Sequence, residues 1–471
     1  MPVRRSWLLC LAALLCAPKA LADEPLPTHV ATVLPDKLDE PAKPRPRQGY
    51  TLRRCLELAE QNYPKVAEAR AKNDYYRAQL SEARWAPFSQ WNFTTGAAVA
   101  PTVRGNPVYS PNTEVSLSSN LGMAWRATID GFVPLWTFGK LTSLRAAATA
   151  QSKLGAHEVQ KEKNAVRMDV RKAYFALQLA RTSQRLLDTA ANMLDSAIEK
   201  LQKSIDEGEG DELDLLKIRT FRAELDGRRS EAMKIEAIAL AGLKFLTGVT
   251  GSFEIDSDDL KLSRHKLQPV AVYLQAARLH RPDVNMARIG VEARTAQVEL
   301  ARAKLYPDIG VTLSAAWSRA PEIADQLNPY VRDDANYFRY GFAFGMKWSL
   351  DFMPAFARVA QARAQLEQNR AIERYALGGV GAEVETVYAE AADADRREKA
   401  YGSAEGYAKR WMIAVNQGID VGTMEEKDLV DPARQFALQR FSHLNAMLDL
   451  NVAISKLALV TGWDQIAPDG S

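Results

Sequence analysis

Two stretches of the second half decide the fold: DIGVTLSAAW at residues 308–317 and YGFAFGMKWSL at 340–350. In the first, Ile309, Val311, Leu313, Ala315 and Trp317 alternate with Asp308, Gly310, Thr312, Ser314 and Ala316. In the second, Tyr340, Phe342, Phe344, Met346, Trp348 and Leu350 alternate with Gly341, Ala343, Gly345, Lys347 and Ser349. A period of two is that of a strand with one apolar face, because successive side chains leave opposite sides of the sheet. The apolar face could meet an ordinary sandwich core or lipid. Strands of about ten residues, with Trp and Tyr near their ends and small or polar residues opposite, suit a membrane barrel with a wet lumen.

A second strand pair lies in the first half. Met123, Trp125, Ala127, Ile129, Val133 and Leu135 alternate with Ala124, Arg126, Thr128 and Asp130, and Phe88 to Ala100 is a weaker match. Four strands cannot close a barrel, since about eight is the smallest number that does. A homo-oligomer sharing strands resolves this, and a trimer would supply twelve strands.

The two pairs belong to a duplicated chain. Phe138 answers to Phe352, an offset of 214 positions, and the same offset joins Val170 and Tyr174 to Val384 and Tyr388. It also joins Gly208 and Asp214 to Gly422 and Asp428, and Leu246-Thr247-Gly248 to Val460-Thr461-Gly462. Upstream, Pro64, Val66 and Ala69 pair with Pro282, Val284 and Ala287 at an offset of 218. The change of offset places a length difference within the strand-bearing segments, where loops absorb it.

Each repeat opens with helical periodicity (Leu56, Ala59, Val66, Ala69, Leu80; then Ala277, Val284, Ala287, Val291, Val298) that breaks at Pro87 and Pro307. After the strands come long polar, Ala-rich stretches of helical period, Lys140 to about Asp206 and about Arg358 to Asn416. A helix of about 60 residues is roughly 90 Å long. Such helices bury narrow stripes against one another, as coiled coils do. Gly208 and Gly422 mark the turns, and Gly248 and Gly462 end the return helices.

The boundaries follow. Residues 1–22 read as a signal peptide, with Arg4 and Arg5, an apolar run from Trp7 to Ala17 and the cleavage site Ala20-Leu21-Ala22. Leu15 before Cys16 argues against lipidation there. Residues 23–49 are a Pro-rich extended linker, with six prolines between Glu24 and Gln48. The first repeat spans 50–265, with strands in about 88–136 and a helical hairpin at about 139–248. The second spans 266–467, with strands in about 308–351 and a hairpin at about 356–462. Residues 468–471 are a tail.

Composition excludes several classes of function. The chain is 25% charged with a formal net charge of +3, acids and bases interspersed, which gives no argument for nucleic acid. Beyond the signal no stretch reads as a membrane-spanning helix, so a membrane span must be a barrel. With Cys10 and Cys16 removed, Cys55 is the remaining thiol and no intramolecular disulfide can form. Five scattered histidines (His29, His157, His265, His280, His443) have no ligand spacing, so no metal site is expected. No nucleophile elbow, phosphate-binding loop or paired-Cys motif is present, so neither a cofactor nor an enzyme is expected.

From Leu52 to Trp463 the residues resemble the TolC-like outer membrane efflux protein family. The resemblance rests on the opening Leu52, Cys55-Leu56-Glu57-Leu58-Ala59 and Asn62-Tyr63-Pro64, the duplication, the strand pairs and the Gly-x5-Asp turns. It implies an α+β, mostly helical fold, with a homotrimeric 12-stranded transmembrane β-barrel continuous with a periplasmic α-helical coiled-coil barrel. It also implies the outer membrane of a Gram-negative cell, contact with lipid, a periplasmic adaptor protein and an inner-membrane pump. The function implied is the passive exit duct of a tripartite efflux or type I secretion system. A structural coiled-coil protein without channel activity is the alternative, and it would have no use for ladders of Trp and Phe.

In that family a turn with the pattern Gly-Thr-x4-Asp-x2-Asp contributes rings of carboxylates at the periplasmic entrance. Gly422-Thr423, Asp428 and Asp431 keep that spacing, and Asp214 after Gly208 is the counterpart in the first repeat. Three copies of each Asp around an axis would attract cations and raise the carboxylates' pKa by mutual repulsion. Equally, carboxylates on the first turn of a helix are favoured by the dipole, wherever they face. Gly208, Gly422 and Thr423 are candidates for adaptor docking. Ile419 and Met424 stand where the family's latch uses a tyrosine and an arginine, and Thr423-Met424-Glu425-Glu426 has capping-box form, with Pro432 just beyond.

Overall fold

A computed structural model describes residues 49–88, 90–104, 116–208, 211–323, 332–421, 423–424 and 426–468. The expected signal peptide, Cys16, the linker up to residue 48, Gly422 and residues 469–471 lie outside the described residues.

Each half runs short helix, helix, strand pair, long helix, return helix. In the first, α1 (Leu52–Asn62) starts at Thr51, whose side chain accepts from Arg54 N, and α2 (Pro64–Trp85) has its proline at the first position, where no helix hydrogen bond is lost. Then come β1 (Trp91–Arg104), β2 (Ser116–Trp136), α3 (Lys140–Asp206) and α4 (Glu212–Thr247). The second half gives α5 (Val270–His280), α6 (Pro282–Ala303), β3 (Asp308–Arg319), β4 (Tyr337–Lys347), α7 (Phe352–Asp420) and α8 (Val430–Thr461). The return helices α4 and α8 both end at a glycine of positive φ, Gly248 at 72° and Gly462 at 67°. At Gly462 a Cβ would lie 2.7 Å from the His280 carbonyl oxygen, so glycine is required by conformation and by the close passage of α5.

Two cores form from equivalent residues. Cys55, Ala59, Val66, Val170 and Leu243 are buried in the first, with Leu177 and Phe253. Tyr273, Ala277, Val284, Val384 and Leu457, the positions 218 or 214 further on, are buried in the second. Burial pushes the Cys55 thiol up to about 12. Helix α8 is long and apolar enough by composition to cross a membrane, which corrects the expectation that no such stretch exists. Its apolar residues Leu444, Leu450, Ile454 and Leu457 are spent in the protein interior.

The halves are tied by ions as well. Arg171, 2% exposed, reaches Asp464 at 2.8 Å, and Arg167 reaches the same carboxylate at 2.7 Å and also pairs with Glu60. Lys163 lies 3.0 Å from Glu60. Burial alone would raise the Glu60 carboxyl, but Lys163 and Arg167 outweigh it and hold it below the usual range.

In the first hairpin, rungs recur at seven-residue steps: Arg181–Glu236 at 3.0 Å, Asp188–Arg229 at 3.1 Å and Asp195–Arg222 at 2.8 Å. Leu187, Leu194, Ile218, Phe221 and Leu225 fill the space beside them. This is the flanking-charge and apolar-seam arrangement of a coiled coil.

Candidate functional site

The sheet is antiparallel in the order β1-β2-β3-β4. Its register sets the faces. Ile309, Val311, Leu313, Ala315 and Trp317 stand opposite Met346, Phe344, Phe342, Tyr340 and Phe338. Across the next ladder Trp317, Ala315, Leu313 and Val311 meet Ala127, Ile129, Gly131 and Val133. On the far side Ile129, Trp125 and Met123 meet Phe93, Ala97 and Val99. One side of the sheet is therefore apolar from edge to edge, and Phe93, Trp125, Phe342, Phe344 and Met346 are all exposed on it. Asn92, Thr94, Arg126, Thr128, Asp130, Thr312, Ser314, Arg339 and Lys347, with several glycines and alanines, occupy the other side by the alternation of the strands.

Two details differ from the sequence reading. A register shift between Pro134 and Trp136 puts Trp136 opposite Ile309, so Leu135 is the extra residue of a bulge and Trp136 takes the place expected for it. Trp348 and Leu350 lie beyond the end of β4 at Lys347. They join Phe352, Met353 and Phe356 as an exposed apolar group at the start of α7.

At the other end of the long helices lie the hairpin tips. Gly208, at φ 86°, follows α3, and α4 begins at Asp211, whose carboxylate accepts from Leu213 N at 2.9 Å. Asp214 sits in the first turn and lies 2.7 Å from Lys217 Nζ. That contact raises the Lys217 pKa, with further contributions from Asp211 and from Asp431 of the second tip. The two tips are thus neighbours: Val430 packs on the first hairpin's core, Arg434 lies 3.6 Å from Glu224, and its guanidinium stands 5.4 Å from the Phe221 ring.

The second tip corrects the capping expectation. Thr423 does not open α8: its hydroxyl donates to the Gly418 carbonyl at 3.0 Å, as does its N–H at 2.9 Å, so it closes the end of α7. A 3₁₀ turn, Glu426–Leu429, follows and holds Asp428 exposed. Helix α8 starts only at Val430, with Asp431 exposed in its first turn. Pro432, in that same turn, removes no helix hydrogen bond because those N–H groups have no partner within the helix. Met424 is exposed, and Ile419 is half-buried.

The structure therefore brings Asp214, Asp431 and Lys217 together at one end of the protein, with Asp211 and Asp428 on the adjoining turns. Asp211 and Lys217 were missed by sequence reasoning. The signal for Asp211 was an Asp immediately before an apolar run, and for Lys217 an Asp-x-x-Lys spacing on a helix. Among the described residues no group of three or more His, Cys, Asp or Glu side chains could hold a metal ion.

Comparisons agree with this arrangement. The outer membrane efflux protein family profile matches residues 55–248 and 273–463. A comparison with curated proteins finds no match. Among solved structures, the open state of the Neisseria gonorrhoeae MtrE outer membrane channel is similar at a TM-score of 0.69 and 16% identity, over 89% of this chain and 90% of that one. The Campylobacter jejuni CmeC outer membrane channel gives 0.65 and 16% identity over 89% and 87% of the two chains. The Vibrio cholerae outer membrane protein VceC gives 0.64 and 16% identity over 87% and 96%. At these identities the likeness is one of fold. The family match, covering most of both repeats, carries the assignment: the chain belongs to the outer membrane efflux protein family and is a channel protein of the Gram-negative outer membrane.

Proposed function

We propose that three copies of this chain form the outer-membrane exit duct of a tripartite efflux or type I secretion system, with a periplasmic adaptor and an inner-membrane pump as partners. The observation that carries the reading is the sheet. It exposes an unbroken apolar face, backs it with small and polar residues, and has no partner among the described residues on the outer edges of β1 and β4. Four strands leave two raw edges, and edges cannot stand in hydrocarbon. Joining β1 of one copy to β4 of the next removes all of them, and three copies give twelve strands. A structural coiled coil without a channel offers no role for that face.

In this reading residues 1–22 are removed, residues 23–49 form a tether, and the long hairpins cross the periplasm. Asp428 and Asp431, with Asp214 of the first repeat, line the entrance and favour cations. Gly208, Gly422 and Thr423 lie where the adaptor docks. Ile419 and Met424 offer no ionic latch, so closure rests on other contacts. Single-channel recording on the purified protein in a planar bilayer tests both the pore and its entrance. Small cation-selective steps that grow, or lose block by divalent ions, in Asp428→Ala/Asp431→Ala support the reading. Steps unchanged by the double substitution remove the two carboxylates from the constriction, and absence of conductance from folded trimers argues against the duct.

A further inference from the structure

The second hairpin also carries charged rungs: Glu390–Lys456 at 2.6 Å and Arg397–Asp449 at 3.0 Å. The next rung is different. The imidazole of His443, on α8, stands between two carboxylates of α7, with Nδ1 2.5 Å from Glu405 Oε2 and Nε2 3.1 Å from Glu398 Oε1. Seven residues apart, Glu398 and Glu405 lie two turns apart on one face of α7. Gly402 lies between them, and a Cβ there would come within 3.2 Å of His443 Nε2, so the missing side chain makes the slot for the ring. Arg440, less than one turn back on α8, donates to both Glu405 oxygens at 2.9 and 3.1 Å. The side chains of His443, Glu398 and Glu405 are 15%, 13% and 15% exposed. The charges next along α7 are engaged elsewhere, Arg397 with Asp449 and Asp393 and Lys399 with Asp395.

A neutral imidazole has one N–H and one lone pair. Between two carboxylates it satisfies one and turns a lone pair on the other, whereas the imidazolium donates to both. With the proton in place, two carboxylates are matched by His443 and Arg440. Histidine is the residue type whose charge ordinarily changes between about pH 5 and 8. We propose that His443, Glu398 and Glu405 form a proton-dependent clasp that closes the second hairpin. The paired hairpin holds a proton that the splayed one releases, so α7–α8 pairing is strongest on the acid side of neutrality and weakens as pH rises. In acid strong enough to protonate the two carboxylates the clasp is lost again. The first hairpin's rungs are Arg, Asp and Glu, which keep their charge through that range, so neutral-range pH acts on one hairpin and spares the other.

The test is hydrogen–deuterium exchange on the purified full-length protein at about pH 6 and about pH 8.5, with protection factors corrected for the intrinsic pH dependence of exchange. From the lower to the higher pH, protection in peptides covering 398–405 and 440–447 falls about tenfold, the worth of one charge-assisted hydrogen bond. Peptides covering 188–195 and 222–229 do not change. His443→Gln gives the low level at both values. Wild-type protection that is the same at both pH values overturns the proposal, as does a pH dependence that survives in His443→Gln or a fall of equal size in both hairpins. The wild-type comparison stands even where a variant fails to assemble. The readout is local to the hairpin, so it is independent of whether the protein conducts.

Discussion

Replacing Phe342 by arginine separates a sheet in lipid from a sheet in water. Phe342 is the middle residue of β4, pairs with Leu313 and is flanked on the same face by Tyr340 and Phe344. In the single chain it is 72% exposed. Were that face in water, a Phe→Arg change would fall within about 0.5 kcal/mol of neutral, as surface substitutions do. In a bilayer two costs add. Transfer of a complete Phe side chain is worth up to about 3 kcal/mol, of which the exposed three-quarters forfeits about 2. Arginine on the outer face of a barrel at mid-depth costs about 2–4 kcal/mol more. The total is about 4–6 kcal/mol per protomer. The control is Ala343→Arg, opposite Thr312 on the other face, where the arginine meets the wet side and costs under about 1 kcal/mol. Urea unfolding of the protein reconstituted in lipid vesicles measures both. Equal midpoints for the two variants would refute the assignment of the faces, and with it the barrel.

Other outcomes follow from particular contacts. Gly131→Val places a Cβ about where the Trp91 ring lies, 2.2 Å from its nearest atom, whereas Gly96 has nothing within 4 Å. The first substitution lowers stability by about 1–3 kcal/mol and Gly96→Val costs less, compared by thermal melting in lipid vesicles. Arg171→Met leaves Asp464 with Arg167 alone and costs about 2–3 kcal/mol, short of the loss for a fully isolated buried pair, as read from the urea midpoint. Because the Glu60 carboxyl is held below its model value of 4.5, its contribution is complete above that pH and is lost as pH falls further. Glu60→Gln therefore flattens the acid limb of a stability–pH profile while lowering stability at neutral pH. Cys55, with its thiol pushed up to about 12 and no exposure, resists thiol reagents at about pH 8 until the protein is unfolded in urea.

How much was legible in the sequence depends on whether a feature is local. The long helix Lys140–Asp206 could be bounded in advance because a sustained helical period between Gly139 and Gly208 is local information. Helix α7 was read shorter than it is, since its first turns (Phe352, Met353, Phe356) are apolar on an exposed face and look like more strand. The bulge at Leu135 could not be foreseen, because an inserted residue shows only against the strand it pairs with. At the second tip the capping-box pattern at Thr423 was misleading. The same hydroxyl can serve the preceding carbonyls or the following N–H groups, and the path of the turn decides which.

By itself the sequence determined the duplication, the element types and the alternation of each strand, because these repeat at fixed short periods. It also placed Asp214, Asp428 and Asp431 near turns, which glycine spacing is enough to do. Only the tertiary structure decided that β2 pairs with β3 to merge two hairpins into one apolar face, and that Lys217 of the first tip lies near Asp431 of the second. It alone set His443 between Glu398 and Glu405. These are contacts between residues far apart in the chain, and they depend on how hairpins dock and helices rotate. No period within a single segment encodes that.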